Sequence, residues 1–328
     1  MKTRAIQIHK TGAPSVMKWE TVETGEPGPD EILVRHTAVG FNMIDTYHRS
    51  GHYPTPPKPC GLGTEGAGII EAVGKRVRKF KVGDRVAYSG SGAGLGAYAE
   101  ARVMKADAVL KVPRDMDEKI AAALLTKGRT VEYLFNRTHK LRKGETILFH
   151  AAAGGVGQLA GQWAKAIGVI AIGVVGSLDK AKIAKRNGYR HVIVASQKDI
   201  AKEVLRITKG RGVDVVYDSV GKDTWDASLA SVRKMGLVVS FGSASGNPPP
   251  FDLAASARQN APYVHRATMI NYMTSPEVAA ASAAKVFSMV KKGLLKTAIN
   301  DSYRLKDVVK VHRDAEARKT TGQIVMVP

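Results

Sequence analysis

The stretch from His150 to Gly168, HAAAGGVGQLAGQWAKAIG, places small residues where binding of phosphates requires them. Ala152, Gly154 and Gly157 fill the three small positions of a G-x-G-x-x-G pattern, with alanine at the first. An apolar run, TILFH, precedes the pattern and a helix-like run follows it. A helix N-terminus carries unpaired N–H groups and a partial positive charge, and a backbone without side chains lets a pyrophosphate approach. Strand, small-residue turn and helix together predict a dinucleotide site; the alternative is a tight turn that serves only helix–sheet packing. A Walker-type loop does not fit, because no Gly-Lys-Ser/Thr follows.

The type of dinucleotide is read from the end of the next strand. NAD sites carry an acid there, about 20 residues on, to take the ribose 2′-hydroxyl. Counting from Gly157 leads to Gly176 and Ser177 in VVGSLDKAK, where no carboxylate stands. Ser177 and Lys180 are suited to a 2′-phosphate, and Asp179 reads as the start of a helix. The site therefore reads as NADP rather than NAD. Lys180 as a solvated helix residue is the plainer alternative.

Other reactive residues are few. The single cysteine, Cys60 in KPCGLG, excludes an internal disulfide and a multi-cysteine zinc site. No base is visibly paired with it, so it reads as a small buried residue. The loop SGSGAGLGAYAE, Ser89–Glu100, looks phosphate-binding in isolation. It opens no clear helix, and it reads better as a flexible lip of a substrate cleft.

The elements that must position these residues fall into three zones of the 328-residue chain. Residues 1–126 hold short β-branched runs, EILVRHTAVGF, GAGIIEAVG, GDRVAYS and VLKVP, separated by Gly and Pro, with a helical turn at Phe41–Ser50. Residues 127–264 alternate wholly apolar runs with helix-like segments, the rhythm of βαβ units and a parallel sheet buried on both faces. Helices there are expected to stop at Gly168, Gly188, Gly210 and Gly236, the last ending a helix TWDASLASVRKMG. From His265 on come a helix with Ser275 as N-cap, Pro276 first inside and Gly293 beyond its end, then NDSYRL, a short helix near Lys306–Ala317 and the strand GQIVMVP. Strand texture returning after the α/β block predicts a discontinuous first domain, 1–126 with 265–328, around a dinucleotide-binding domain 127–264. The fold class is α/β: a doubly wound parallel Rossmann sheet inserted into a mainly-β domain.

The N-terminus alternates like a strand and has neither the apolar core of a signal peptide nor the pattern of a transit peptide. No apolar stretch is long enough to span a membrane. The expectation is a cytosolic chain.

Beyond these readings, AAAGGVG together with GFNMIDTYHRSGHYP, GLGTEGAGII, GDRVAY, YDSVGKDTW and VVSFGSASG resembles the zinc-independent quinone oxidoreductases, which include ζ-crystallin, of the medium-chain dehydrogenase/reductase superfamily. The bacterial-type NADPH:quinone reductases look closest. The resemblance runs over essentially the whole chain. It implies a GroES-like catalytic domain completed by the C-terminus, an inserted Rossmann domain and a homodimer.

By that resemblance the zinc-ligand positions of zinc-dependent relatives are lost: Asn42 replaces a cysteine, and Gly63-Thr64-Glu65 replaces a Gly-His-Glu. This implies hydride transfer without a metal, to acceptors that are already electrophilic. Asn42 and the segment Met43, Ile44, Asp45, Thr46 and Tyr47 are implied to line the nicotinamide cleft, and Tyr53 to face the substrate. Tyr47 and Tyr53 could be proton donors or orienting, packing residues; water could supply protons equally. Lys127 and Tyr133 are implied near the cofactor at the domain junction. Gly154, Gly155 and Val156 are assigned to the pyrophosphate, and Gly176, Ser177 and Lys180 to the 2′-phosphate. Val220, Phe241, Gly242, Ser243 and Ala244 are assigned to the nicotinamide, and Arg266 and Arg318 to cofactor contacts. Ala195 stands where the family often has a tyrosine assisting the adenosine phosphate.

The function implied is NADPH-dependent reduction of a quinone. An alkenal or enone (enoyl) reductase would share every cofactor motif. The net charge of +21 is spread over RVRKFK, HKLRKG, KAKIAKR and KKG without interleaved aromatics, which reads as a solvated basic surface. Some family members bind single-stranded RNA, so an RNA-binding role stands beside the enzyme reading as one of a different class.

Overall fold

The computed structural model describes residues 1–90 and 92–328, with 300–302 described through their backbone only. Ser91, inside the expected lip loop Ser89–Glu100, lies outside the described residues. The chain forms two compact units: Met1–Arg129 with Met273–Val286 and Thr297–Pro328, and Thr130–Tyr272 with Phe287–Lys296.

In chain order the first unit opens with β1 (Lys2–Ile8), β2 (Met17–Glu23), β3 (Glu31–Gly40), α1 (Met43–Ser50), β4 (Cys60–Gly61), β5 (Glu65–Val73), β6 (Arg85–Ser89), β7 (Ala101–Lys105) and β8 (Leu110–Lys111). Next comes α2 (Glu118–Tyr133), which carries the fully buried run Ala121–Leu125. The second unit follows as β9 (Thr146–Phe149), α3 (Gly155–Ala166), β10 (Ile170–Val175), α4 (Leu178–Arg186), β11 (His191–Val194), α5 (Ile200–Ile207), β12 (Val213–Asp218), α6 (Trp225–Ser231), β13 (Val232–Ser240), α7 (Leu253–Ala257) and β14 (Tyr263–Arg266). The chain closes with α8 (Pro276–Lys291), β15 (Ile299–Arg304), α9 (Val308–Glu316) and β16 (Gln323–Val327).

The first unit is antiparallel in the main. β1 lies between β2 and β4, and a second sheet runs β15-β16-β3-β5-β6-β8, with β7 also on β3. The C-terminal strand enters this sheet beside β3, Val325 opposite Gly40 and Met326 opposite Val39. Its core gathers Ile6, Ile32, Val34, Ile70 and Val86 from the early strands with Val308, Val311, Ile324 and Met326 from the end of the chain.

The second unit is a six-stranded parallel sheet in the order β11-β10-β9-β12-β13-β14. Order reverses between β9 and β12, the arrangement in which nucleotides bind at the carboxyl ends of the strands. Leu148, Ile172, Ile193, Val216 and Val238 fill the core. β12 is buried along its whole length, as a strand covered on both faces is, and it takes Asp214 and Asp218 in with its valines.

One helix ends earlier than the sequence suggests. Val232–Gly236 belongs to β13, and α6 stops at Ser231. Val232 pairs with Val213, the register shifts before Val215 meets Leu237, and Met235 takes a left-handed φ of 54°. Sheet pairing outweighs the helical period there, so Gly236 is a strand residue. Gly168, Gly188 and Gly210 do follow their helices with positive φ. Among the described residues no helix is long and apolar enough to cross a membrane.

Candidate active site and cofactor loop

In the first unit the turn from β3 into α1 carries Phe41 and Asn42. Asn42 is buried, and its side-chain amide works in both directions. Nδ2 donates to Oε2 of Glu65 at 2.8 Å, and Oδ1 accepts from Nζ of Lys127 at 2.9 Å. Lys127 also donates to the Phe41 carbonyl at 3.0 Å and lies 3.6 Å from Glu65 Oε2. Oε1 of Glu65 accepts from the Thr126 amide at 2.7 Å. Lys127 and Glu65 are 6% and 0% exposed, so this ion pair is sealed from solvent.

These residues do not suit the zinc of zinc-dependent relatives. The positions that the resemblance gives to a cysteine and a histidine ligand hold the Asn42 amide and the Thr64 hydroxyl, and the Lys127 ammonium already neutralises the Glu65 carboxylate. Among the described residues no cluster of three or more His, Cys, Asp or Glu side chains could hold a metal.

Behind Asn42 lies a second buried chain. Asp45 accepts from the Asn42 backbone N–H at 2.9 Å, from Thr64 Oγ1 at 2.8 Å and from the Tyr98 hydroxyl at 2.8 Å. Tyr98 lies 3.2 Å from Nε2 of His312 on α9. With the Tyr98 proton committed to Asp45, Nε2 of His312 must be the protonated nitrogen. Burial pushes the Asp45 carboxyl up to about 6, against the pull of those three donors and with the push of Glu65. Burial drives His312 down to about 3, with Arg49 adding to it.

Within the expected lining segment, Asp45 and Thr46 are buried, and the Thr46 hydroxyl donates to the Met43 carbonyl at 2.7 Å. Met43, Ile44 and Tyr47 are partly open. Asp45 and Thr46 are thus turned into the fold, and Met43, Ile44 and Tyr47 keep accessible surface. Tyr47 and Tyr53 meet edge to face at 5.3 Å, and His52 stacks on Tyr53. Arg318 follows α9 with a φ of 57°.

In the second unit the small-residue loop forms as its sequence demands. Gly154 caps α3, and Gly155 and Val156 open it. A Cβ on Gly157 would collide with the Ala151 carbonyl oxygen and lie 2.7 Å from Ala152 Cα. Ala152 is buried, and its methyl occupies the space left by Gly173 of β10. After β10 come Gly176 and Ser177, both exposed; Ser177 caps α4, its Oγ accepting from the Lys180 amide. Asp179 is exposed and pairs with Lys182 at 3.0 Å, as a first-turn residue would. The Ala195 amide donates to the Val175 carbonyl, which sets Ala195 beside the same strand end.

The other expected contacts gather after β12 and β13. The Val220 and Gly221 amides donate to Asp218, the Phe241 amide donates to the Asp218 carbonyl, and Phe241 packs on Phe149. Gly242 leaves no room for a Cβ against Ser219. The Ala244 amide donates to the Ser219 carbonyl at 3.2 Å. Arg266 donates to Ser240, to the Gly242 carbonyl and to Ser243, fixing that loop. Tyr133 stacks on Tyr272 at 4.5 Å.

Sequence reasoning missed the supporting residues: Glu65, Tyr98 and His312 in the first unit, Asp218, His150 and Ser228 in the second. Ser228 donates to Asp218 at 2.7 Å and lies 3.0 Å from His150 Nε2. Burial opposes the Asp218 charge, yet His150, Ser228, Gly221 and Thr224 hold its carboxyl below the usual range. All three residues are 0% exposed, so the cluster ties β9, β12 and α6 together and presents no nucleophile. The signal available was polar residues at positions that periodicity marks as buried.

Comparison with known proteins places this geometry. Residues 28–114 match the family described as alcohol dehydrogenase GroES-like domain, and residues 155–284 the family described as zinc-binding dehydrogenase. A quinone oxidoreductase of Pseudomonas aeruginosa is 46% identical over 325 residues, covering 99% of both chains. A 2-haloacrylate reductase of a Burkholderia species is 38% identical over 99% of this chain and 98% of its own. The crystal structure of Escherichia coli quinone oxidoreductase complexed with NADPH superposes with a TM-score of 0.96 at 40% identity, covering 99% of this chain and all of the other.

Proposed function

Because the chain belongs to the quinone oxidoreductases of the medium-chain dehydrogenase/reductase superfamily, we propose that it reduces quinones with NADPH and without a metal. The observation that carries this reading is a complete nucleotide loop together with a buried cluster of Asn42, Lys127 and Glu65 whose chemistry does not suit a metal. Bound NADPH supplies a hydride. The chain's own residues do the rest. Amides at the start of α3 receive the pyrophosphate, and Gly157 keeps the approach clear. Ser177 and Lys180, with no acid at the end of β10, receive the 2′-phosphate. Val220, Phe241–Ala244 and Arg266 shape the loops after β12 and β13 that hold the nicotinamide end. Asn42, Tyr47 and Tyr53 address the acceptor.

A panel of 1,2- and 1,4-quinones against alkenals, followed by NADPH oxidation, tests the acceptor. The relative named 2-haloacrylate reductase favours a second reading, an NADPH-dependent reductase of activated alkenes. Turnover confined to alkenals would replace the first reading by the second. Dialysis against a strong chelator should leave turnover intact; a loss that zinc restores would defeat the metal-free mechanism.

The reading includes a homodimer. β14 is an edge strand, and all four of its residues are exposed, Tyr263 at 61%. An open edge that exposes Tyr263 and Val264 invites pairing with another strand. Sedimentation at the monomer mass would remove the dimer.

A further inference from the structure

The buried cation at Lys127 serves no role in the nucleotide loop, and its position calls for a reason. Asn42 bridges it to Glu65, giving one amide atom to each. A sealed pair of this kind is expensive to desolvate, and apolar residues of equal volume usually pack as well or better. Packing alone therefore does not explain it. The resemblance puts Asn42 and Thr64 at metal-ligand positions of zinc-dependent relatives; in this chain the ammonium stands against both Asn42 and Glu65.

We infer that the Lys127 ammonium is the resident cation of this centre: it supplies the fixed positive charge that a metal supplies in zinc-dependent relatives, orients Asn42, and stabilises the anion formed on the acceptor. The inference rests on the quinone-reductase reading. A hydride carries two electrons and one proton from the dihydronicotinamide carbon to the quinone. NADPH becomes NADP⁺, the quinone becomes a hydroquinone monoanion with its charge on oxygen, and one proton from solvent completes the hydroquinone. A preorganised charge in a dry site counts most at that anion. Lys127 forms no covalent bond and ends the cycle as it began.

The test compares Lys127→Met with Lys127→Met/Glu65→Gln. The single variant leaves Glu65 buried and unpaired, so its melting temperature should fall. The double variant removes both charges, and melting should recover. Its kcat should stay about a hundredfold below wild type, with KM within a few fold. A second readout needs no turnover: the visible spectrum of bound 4-nitrophenol. Wild type should favour the phenolate beyond its share in buffer, and the double variant should not. Wild-type kcat in the double variant, or an undiminished phenolate preference, overturns the inference. Should the double variant not fold, both readings move to Lys127→Arg, which keeps the charge: phenolate preference and kcat within about tenfold support the inference, and loss of both overturns it. A wild type that reduces no quinone yet favours the bound phenolate would defeat the quinone reading and leave the resident cation standing.

Discussion

The buried hydroxyl of Tyr189 donates to the carbonyl of Gly157 at 2.7 Å. Its ring lies over two glycines, Gly161 of α3 and Gly173 of β10, where a Cβ would meet ring carbons at 2.5 and 2.8 Å. One side chain thus joins the first turn of the cofactor helix to the strand beside it. Tyr189→Phe keeps the ring and loses the hydrogen bond, so stability should fall by about 1 kcal/mol. Gly161→Ala puts a methyl against the Asn187 carbonyl oxygen as well as against the ring, and should be the more destabilising change. Denaturant midpoints measure both; Gly161→Ala at or above the Tyr189→Phe midpoint would mean that neither the ring nor the Asn187 carbonyl is held against α3.

Gly157→Ala bears on the loop itself. The added methyl meets the Ala151 carbonyl and the Ala152 backbone, neither of which can swing aside as a side chain would. NADPH affinity should fall at least about tenfold, a loss of roughly 1.4 kcal/mol or more. NADPH fluorescence titration reads it, and unchanged affinity would mean that α3 does not receive the pyrophosphate.

Lys180→Ala separates the two cofactors. Removing one charge-assisted contact to a 2′-phosphate costs about tenfold in NADPH affinity when the site is near the surface. NADH lacks that phosphate and should bind as before. The change should fall on KM more than kcat, because the contact is held alike in ground and transition states. Equal losses for both cofactors would make Lys180 a residue of the fold, and a wild-type preference for NADH would remove the NADP assignment.

Acid should destabilise the first unit. Burial holds His36 down at about 4, with the Ala99 carbonyl opposing, Arg102 adding to the shift and Tyr88 on the other ring nitrogen. Burial holds His312 at about 3, with Tyr98, Phe41 and Arg49 around it. A histidine depressed from 6.5 in the folded state contributes stability that is complete above pH 6.5 and is lost as pH falls towards the folded value. Asp45, raised from 3.8 to about 6, acts the other way: its contribution is full below 3.8 and is lost as pH rises through 6. Two groups against one, the melting temperature should drop between pH 6.5 and 5. In a His36→Gln/His312→Gln variant that slope should flatten; the same slope in the variant would assign it to other groups.

Local patterns in the sequence determined the fold class, the cofactor loop and the likeness to metal-free reductases. Small residues between an apolar run and a helix, the missing acid near Ser177 and the alternation of strands with helices all act over a few residues, where backbone sterics and hydrogen bonding fix the outcome. Where a longer-range force competed, local reading failed: Val232–Gly236 has a helical rhythm, but pairing with β12 takes it into the sheet. Only the tertiary structure decided what surrounds the reactive turn. Lys127 lies 85 residues from Asn42, Tyr98 lies 214 from His312, and Ser228 lies 78 from His150. A buried polar group must find a partner wherever the fold can bring one. Nothing in the spacing of residues records which distant partner that is, so the cation at Asn42 and the chain behind Asp45 exist only in the folded molecule.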